Sequence, residues 1–165
     1  MMPLFRTDRL YLRHLTWRDV PILATWRSDE ACRRYQCWKA TTPSALRRLV
    51  LRYGHSRLFS KQHEQHYAVC LRNGTLVGDI TVFYNHGDSV SIGYTVYPPY
   101  QRQGYAYELL SSLLPQLQQA YLLDIFAVIH SENIASIRLI KKLNFVLFKE
   151  QFEQFYQVYS MPYRG

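Results

Sequence analysis

The stretch Ile92-Gly93-Tyr94-Thr95-Val96-Tyr97-Pro98-Pro99-Tyr100-Gln101-Arg102-Gln103-Gly104-Tyr105-Ala106 decides how the rest of the chain is read. Val90, Ile92, Tyr94 and Val96 alternate with Ser91, Gly93, Thr95 and Tyr97, the period of a half-buried strand. Pro98 and Pro99 cannot continue a ladder, so regular pairing ends there. Beyond them Ala106, Leu109, Leu110, Leu113, Leu114 and Leu117 fall at the spacing of one buried helix face, with Gly104 in the first turn. A helix start carries amide N–H groups without partners and the positive end of the helix dipole, so a loop lightened by glycine is a natural cradle for phosphate. The simpler reading is that Gly104 only makes the tight turn that joins strand to helix.

Working outward, 165 residues suffice for about one domain with a real core, and 48% hydrophobic with 19% charged residues is ordinary for a globular protein. No apolar run approaches the length needed to span a bilayer, and Met1 to Arg6 lacks a signal-peptide apolar region, so the expectation is a cytoplasmic protein with no membrane partner. Cys32, Cys37 and Cys70 are odd in number and lack metal-ligand spacing; they read as reduced thiols, Cys70 inside an apolar strand. His63 and His66 flank Glu64 without a convergent third ligand, and no metal is expected. Residues 1–60 hold 12 of the 20 Lys and Arg and 4 of the 12 acidic residues, which accounts for the whole net charge of +8. That asymmetry suits an anionic partner, or simply a basic solvated helix face.

Leu10, Leu12 and His14 alternate against Tyr11, Arg13 and Leu15 in a first strand, and Thr16-Trp17-Arg18-Asp19 then has the form of a capping box that opens a helix through about Ser28. The stretch from Asp29 to Thr41 reads as irregular, with Tyr35 and Trp38 as aromatic anchors. Thr42 caps a second helix with Pro43 at its first position; Leu46, Leu49, Val50 and Tyr53 form its stripe, Arg47, Arg48 and Arg52 its exposed face, and Gly54 its end. Strands over 66–72 and 75–84 flank the hairpin signal Asn73-Gly74, and Asn85-His86-Gly87-Asp88 turns into the Ile-Gly-Tyr strand. The central helix, about 104–120, should kink or end near Leu114 because Pro115 removes a backbone hydrogen bond. Leu122 to Ile129 reads as an apolar strand buried on both faces and, through the crossover, a parallel neighbour of the Ile-Gly-Tyr strand. A short helix capped near Asn133 wets Arg138, Lys141 and Lys142 and ends at Asn144, which tolerates a left-handed conformation; a last hairpin, 145–152 with 155–161, turns at Glu153-Gln154.

Gln101-Arg102-Gln103-Gly104-Tyr105-Ala106, between an Ile-Gly-Tyr strand and an amphipathic helix and followed by Asn133-Ile134-Ala135-Ser136, resembles the acyl-CoA pyrophosphate loop and second CoA motif of the GNAT N-acetyltransferase superfamily. The opening Arg9-Leu10-Tyr11-Leu12-Arg13 is similar to the start of the branch that acetylates ribosomal-protein N-termini, the Rim-type branch. The resemblance spans almost the whole chain as one domain, 1–165. It implies an α/β (α+β) fold: a mixed, mostly antiparallel sheet of about six or seven strands with a splayed parallel pair, flanked by about four helices.

The implied reaction is acetyl transfer from acetyl-CoA to a primary amine by direct attack. By resemblance, amides from Arg102 to Ala106 take the pyrophosphate, helped by Gln101 and Gln103, with Arg102 or a basic residue near Lys141 neutralising a phosphate. Backbone groups of Tyr94, Thr95 and Val96, freed where the strands part at Pro98-Pro99, would serve the pantetheine arm and thioester oxygen, and Asn133 and Ser136 would complete the cofactor site. The tyrosine that many relatives use to protonate the leaving thiolate is here Ile140, so Ser136 takes that role. The glutamate often found just before Ile-Gly-Tyr is Ser91, which leaves Glu153, with Glu150 and Asp79 behind it, as candidate base. The expected partners are acetyl-CoA and an amine acceptor, either a ribosomal or other protein N-terminus or an anionic small molecule, with the chain a monomer or homodimer. A non-catalytic acyl-CoA-binding module is the alternative; direct nucleic-acid binding, resting on Arg47, Arg48 and Arg52 alone, is not expected.

Overall fold

The structure, a computed structural model, describes residues 3–36, 42–85, 87–151 and 155–164. In chain order the strands are β1 Phe5–Arg6, β2 Leu10–His14, β3 Glu64–Leu71, β4 Leu76–Asn85, β5 Ser89–Val96, β6 Ile125–His130, β7 Val146–Gln151 and β8 Tyr156–Met161. The helices are α1 Val20–Ser28, α2 Glu30–Arg33, α3 Pro43–Tyr53, α4 Tyr105–Tyr121 and α5 Ile134–Lys142. One mixed sheet runs β1-β2-β3-β4-β5-β6-β8-β7, and its single parallel pair among the described residues is β5 with β6. Sequence reading missed the two-residue β1 and the one-turn α2, both too short to set up a period.

Local chemistry forms these elements. Thr16 and Asp19 complete a reciprocal capping box at the 3-10 turn that enters α1, and Arg13 clamps the Asp19 carboxylate through two bonds of 2.7 Å. Thr42 accepts from the Ala45 amide ahead of Pro43. α5 closes on Asn144 at φ 66, with Asn144 N–H to Lys141 O and Phe145 N–H to Ile140 O, the paired bonds of a Schellman ending.

α4 overrides its proline. The helix is continuous to Tyr121, with Pro115 on its exposed side. Leu110, Leu113 and Leu117 on the other side are fully buried, each worth roughly 1.5–3 kcal/mol, which outweighs the roughly 3 kcal/mol cost of an interior proline. β6 also departs from expectation: Ile125, Ala127 and Ile129 are buried while Val128 is 57% exposed. The reason is unequal cover. α4 and α5 pack their leucines and isoleucines on one face of the sheet, whereas α1, α2 and α3 cover the other face only over β2 to β5, through Leu15, Leu23, Leu46, Ala68, Cys70 and Tyr97.

Where β3 passes beside α3, the Glu64 carboxylate accepts from the Tyr53 hydroxyl and, at 2.7 Å, from His66 Nε2, while Thr81 Oγ1 meets His66 Nδ1 at 3.1 Å. Both ring nitrogens of His66 are thus engaged. The bond from His66, joined by that from Tyr53 and opposed by burial, holds Glu64 at about 2 against an ordinary 4.5. A depressed carboxylate pKa stabilises the fold above the unfolded value, and the gain is lost as pH falls through the folded value. Urea midpoints should therefore fall between about pH 4.5 and about pH 2, and Glu64→Gln should flatten that part of the profile; an unchanged slope in the variant would contradict the assignment.

Candidate active site

β5 and β6 pair only at Val90 with Ile125 and Ser91 with Phe126, then diverge. The opening therefore starts several residues before Pro98-Pro99, where sequence reading had placed it; those prolines form a 3-10 turn, Pro98–Tyr100. Val90 N–H points toward β6, to Asp124 O, and Tyr97 N–H points toward β4, to Val77 O. By strand alternation the Tyr94 and Val96 amides face the gap and the Thr95 amide faces β4. Gln101 Nε2 covers the Val96 carbonyl at 2.9 Å.

The gap opens into a cavity of about 410 Å³. Of the residues singled out from sequence, Tyr94, Thr95, Val96, Gln101, Arg102, Gly104, Tyr105, Ala106, Asn133 and Ser136 line it. Gln103 does not: its side chain bonds the Pro99 carbonyl. Arg102 and Gly104 adopt φ 60 and 81, and Gly104, which has no side chain to offer, caps α4, so no side chain among the described residues bonds the first-turn amides. The amides of Gly104, Tyr105, Ala106 and Tyr107 are thereby left for an anion, in a loop exposed from Gln101 to Gly104. Asn133 caps α5 by accepting from the Ser136 amide at 3.2 Å, which fixes Ser136 at the cavity wall.

Behind Ser136 stands Tyr94. Its hydroxyl is buried with no hydrogen-bond partner among the described residues, and the Ser136 side chain lies near enough to act on it. Burial pushes the Tyr94 hydroxyl up to about 12, with Ser136 pulling weakly the other way, so Tyr94 stays protonated and can only donate or accept a hydrogen bond.

The wall opposite comes from α2 and the residues that follow it. Cys32, Tyr35 and Gln36 line the cavity, and Gln36 Nε2 reaches Thr95 Oγ1 at 3.2 Å. Tyr35 packs 5.4 Å from the His130 ring at the end of β6, and Phe155 and Tyr156 enclose that ring from the last hairpin. Arg102 supplies the only formal charge among the described lining residues. Lys142 lies 4.3 Å over the ring of Tyr107, whereas Lys141 lines a separate groove with Pro115 and Gln118. Neither lysine lines the cavity, and Lys142 is the one that touches a lining side chain, Tyr107.

The base candidates fare differently. Glu153 lies outside the described residues, as do Cys37 and Trp38. Glu150 accepts from Gln157 on the exposed last hairpin. Asp79 is buried in an ion pair with Arg27 and also accepts from Tyr97. Ser91 bonds Asn85, and Ile140 is core. Tyr35, Gln36, His130 and Arg9 were not read from sequence as site residues, because what brings them there is tertiary; Arg9 reaches the loop through a bond to the Gln103 carbonyl at 3.0 Å.

A parted parallel pair beside a helix start whose first-turn amides are open suits an acyl-CoA-dependent transferase. The family model for the acetyltransferase (GNAT) domain matches residues 9–146, and the chain belongs to that family. It is 28% identical over 151 residues to the uncharacterized N-acetyltransferase YoaA of Bacillus subtilis, covering 88% of this chain and 84% of that protein. Among solved structures, RimL, the ribosomal L7/L12 α-N-protein acetyltransferase in complex with coenzyme A, superposes with a TM-score of 0.79 at 16% identity over 98% of both chains. Spermidine N-acetyltransferase from Vibrio cholerae, in complex with CoA and spermine, superposes with a TM-score of 0.75 at 19% identity over 92% of this chain and 93% of that one. The protein is an acyl-CoA-dependent acetyltransferase, of a family that uses acetyl-CoA.

Proposed function

We propose that the chain acetylates an N-terminal α-amine of a protein, in the manner of the Rim-type branch, or a small amine that is neutral or anionic elsewhere. The observation that carries this is the meeting, in one cavity, of the free α4 amides, the parted β5 edge and Ser136. Amides of Gly104 to Tyr107, with Arg102 and Lys142, take the diphosphate of acetyl-CoA; the Tyr94 and Val96 amides take the arm and the thioester oxygen. The uncharged amine attacks the carbonyl carbon, the carbon–sulfur bond breaks, and the nitrogen gives up one proton. The leaving thiolate gains a proton from the Ser136 hydroxyl, with Tyr94 behind it, and Ser136 recovers its proton through water from the one the nitrogen gives up. An α-amine, with a pKa near 8, needs only a weak base or a water to lose its proton.

The acceptor class follows from charge. No carboxylate lines the cavity among its described residues, and the first third of the chain is basic, so a polycation finds little to bind. Ile140 at the position of the usual tyrosine favours one other reading, a non-catalytic acyl-CoA-binding module.

Ser136→Ala is expected to lower kcat by roughly 10- to 100-fold while the Kd for acetyl-CoA changes less than about twofold. Stopped-flow thiol detection and calorimetry separate the two quantities. Wild-type turnover in the variant would remove Ser136 from the proton path.

A further inference from the structure

The motif that opens the chain contains an arginine whose place in the fold the reaction scheme above leaves unused. Arg9 stands just before β2, 95 positions from Gly104 in sequence, yet its guanidinium lies against the loop that enters α4. Arg9 Nε donates to Glu108 Oε2 at 2.6 Å and Nη1 to the Gln103 carbonyl at 3.0 Å, and the guanidinium rests 4.6 Å from the centre of the Tyr105 ring. Thr7 Oγ1 and the Arg9 amide hold the other Glu108 oxygen at 2.5 and 2.7 Å. Arg9 Nη2 makes no hydrogen bond among the described residues, and it lies 3.4 Å from where a Cβ on Gly104 would sit. Half of the Arg9 side chain is open to solvent.

The geometry points to Arg9 as a cofactor-binding residue, which offers Nη2 to a phosphate oxygen at Gly104 and holds the Gln103 carbonyl turned away from the bound diphosphate. This rests on the acyl-CoA reading of the cavity. Two physical points support it. A carbonyl oxygen pointing into an anion cradle would repel its ligand, and the bond from Nη1 fixes where that oxygen points. Glu108 lies in the first turn of α4, where burial alone would raise its pKa, but Thr7 and Arg9 hold it below the ordinary glutamate value and therefore ionised. A carboxylate there opposes a diphosphate unless a cation covers it, and Arg9 is the cation that does so.

The test compares acetyl-CoA with S-acetylpantetheine, which has the same thioester arm and no phosphate. Affinities are measured by calorimetry for the first and by NMR titration, which reads millimolar binding, for the second; neither needs turnover. Arg9→Ala is expected to weaken acetyl-CoA by roughly 10- to 100-fold and S-acetylpantetheine by less than about twofold. Arg9→Lys, which keeps the charge and loses the fork, should fall between. Adding Glu108→Gln to Arg9→Ala should restore at least about threefold in acetyl-CoA affinity, because the uncovered carboxylate is gone. An equal loss for both ligands, or no loss for acetyl-CoA, would overturn the assignment, as would a double variant no better than Arg9→Ala. Thermal midpoints of all variants separate loss of fold from loss of binding. Failure of the wild-type protein to bind acetyl-CoA would instead overturn the acyl-CoA reading itself, and the role of Arg9 with it.

Discussion

Replacing Gly104 by glutamate is expected to weaken acetyl-CoA binding by more than about 100-fold, while the protein stays folded. Gly104 holds φ 81, a conformation that costs an ordinary residue roughly 1 kcal/mol or more, and its missing Cβ leaves room beside Arg9 Nη2. The backbone cost is small against a total stability of about 5–15 kcal/mol. The carboxylate is the larger insult, because it brings negative charge to the four amides proposed to hold the diphosphate and offers Arg9 a competing partner. Gly104→Ala separates the two effects: it introduces the strained φ without the charge and should lose far less affinity. Calorimetric titration of both variants checks this, and equal affinities for Gly104→Glu and wild type would take the α4 start out of the site.

The second large effect concerns stability. Asp79 on β4 and Arg27 on α1 are 4% and 3% exposed, and Arg27 Nη2 stands 3.3 Å from the carboxylate, which also accepts from the Tyr97 hydroxyl at 3.3 Å. Trp26 stacks on the Tyr97 ring at 5.1 Å, so the pair fastens α1 to the sheet just behind Thr95. Burial, together with the Asp79 charge, pushes the Tyr97 hydroxyl well above its ordinary value, so it remains a donor. Removing the carboxylate leaves the guanidinium charge in the interior without that counter-charge, and Asp79→Ala should cost about 3–5 kcal/mol by urea denaturation. Asp79→Asn, which keeps the shape and a hydrogen-bond acceptor, should cost less. A loss below about 1 kcal/mol in Asp79→Ala would contradict the pair's role in joining helix to sheet.

Features written in neighbouring residues were legible from sequence. The Thr16–Asp19 box, the Thr42 cap, the Asn73-Gly74 turn and the left-handed Asn144 each depend on contacts within a few positions, and each forms as the residues imply. The same holds for the β5-loop-α4 junction, whose period changes from two to 3.6 across a pair of prolines. Pro115 misled because its local cost was visible and the leucines that outweigh it act through tertiary packing. β6 misled in the opposite sense, since an apolar run cannot say that one layer of helices stops short of it. Strand β8 inserts between β6 and β7, an order that hairpin pairing alone leaves open. In the proposed site, the residues carried by a motif were readable, while Gln36, His130 and Arg9 reach it through contacts that no spacing encodes.

The central claim is that one cavity both grips acetyl-CoA and passes its acetyl group to an amine. Free thiol and acetylated amine, measured together with acetyl-CoA over a panel of N-terminal peptides, amino acids and polyamines, test it most directly. The account predicts that thiol and product appear in equal amounts with at least one neutral or acidic α-amine acceptor, and faster than with spermidine. Tight binding of acetyl-CoA with no thiol released for any acceptor would contradict it and leave a binding module in its place.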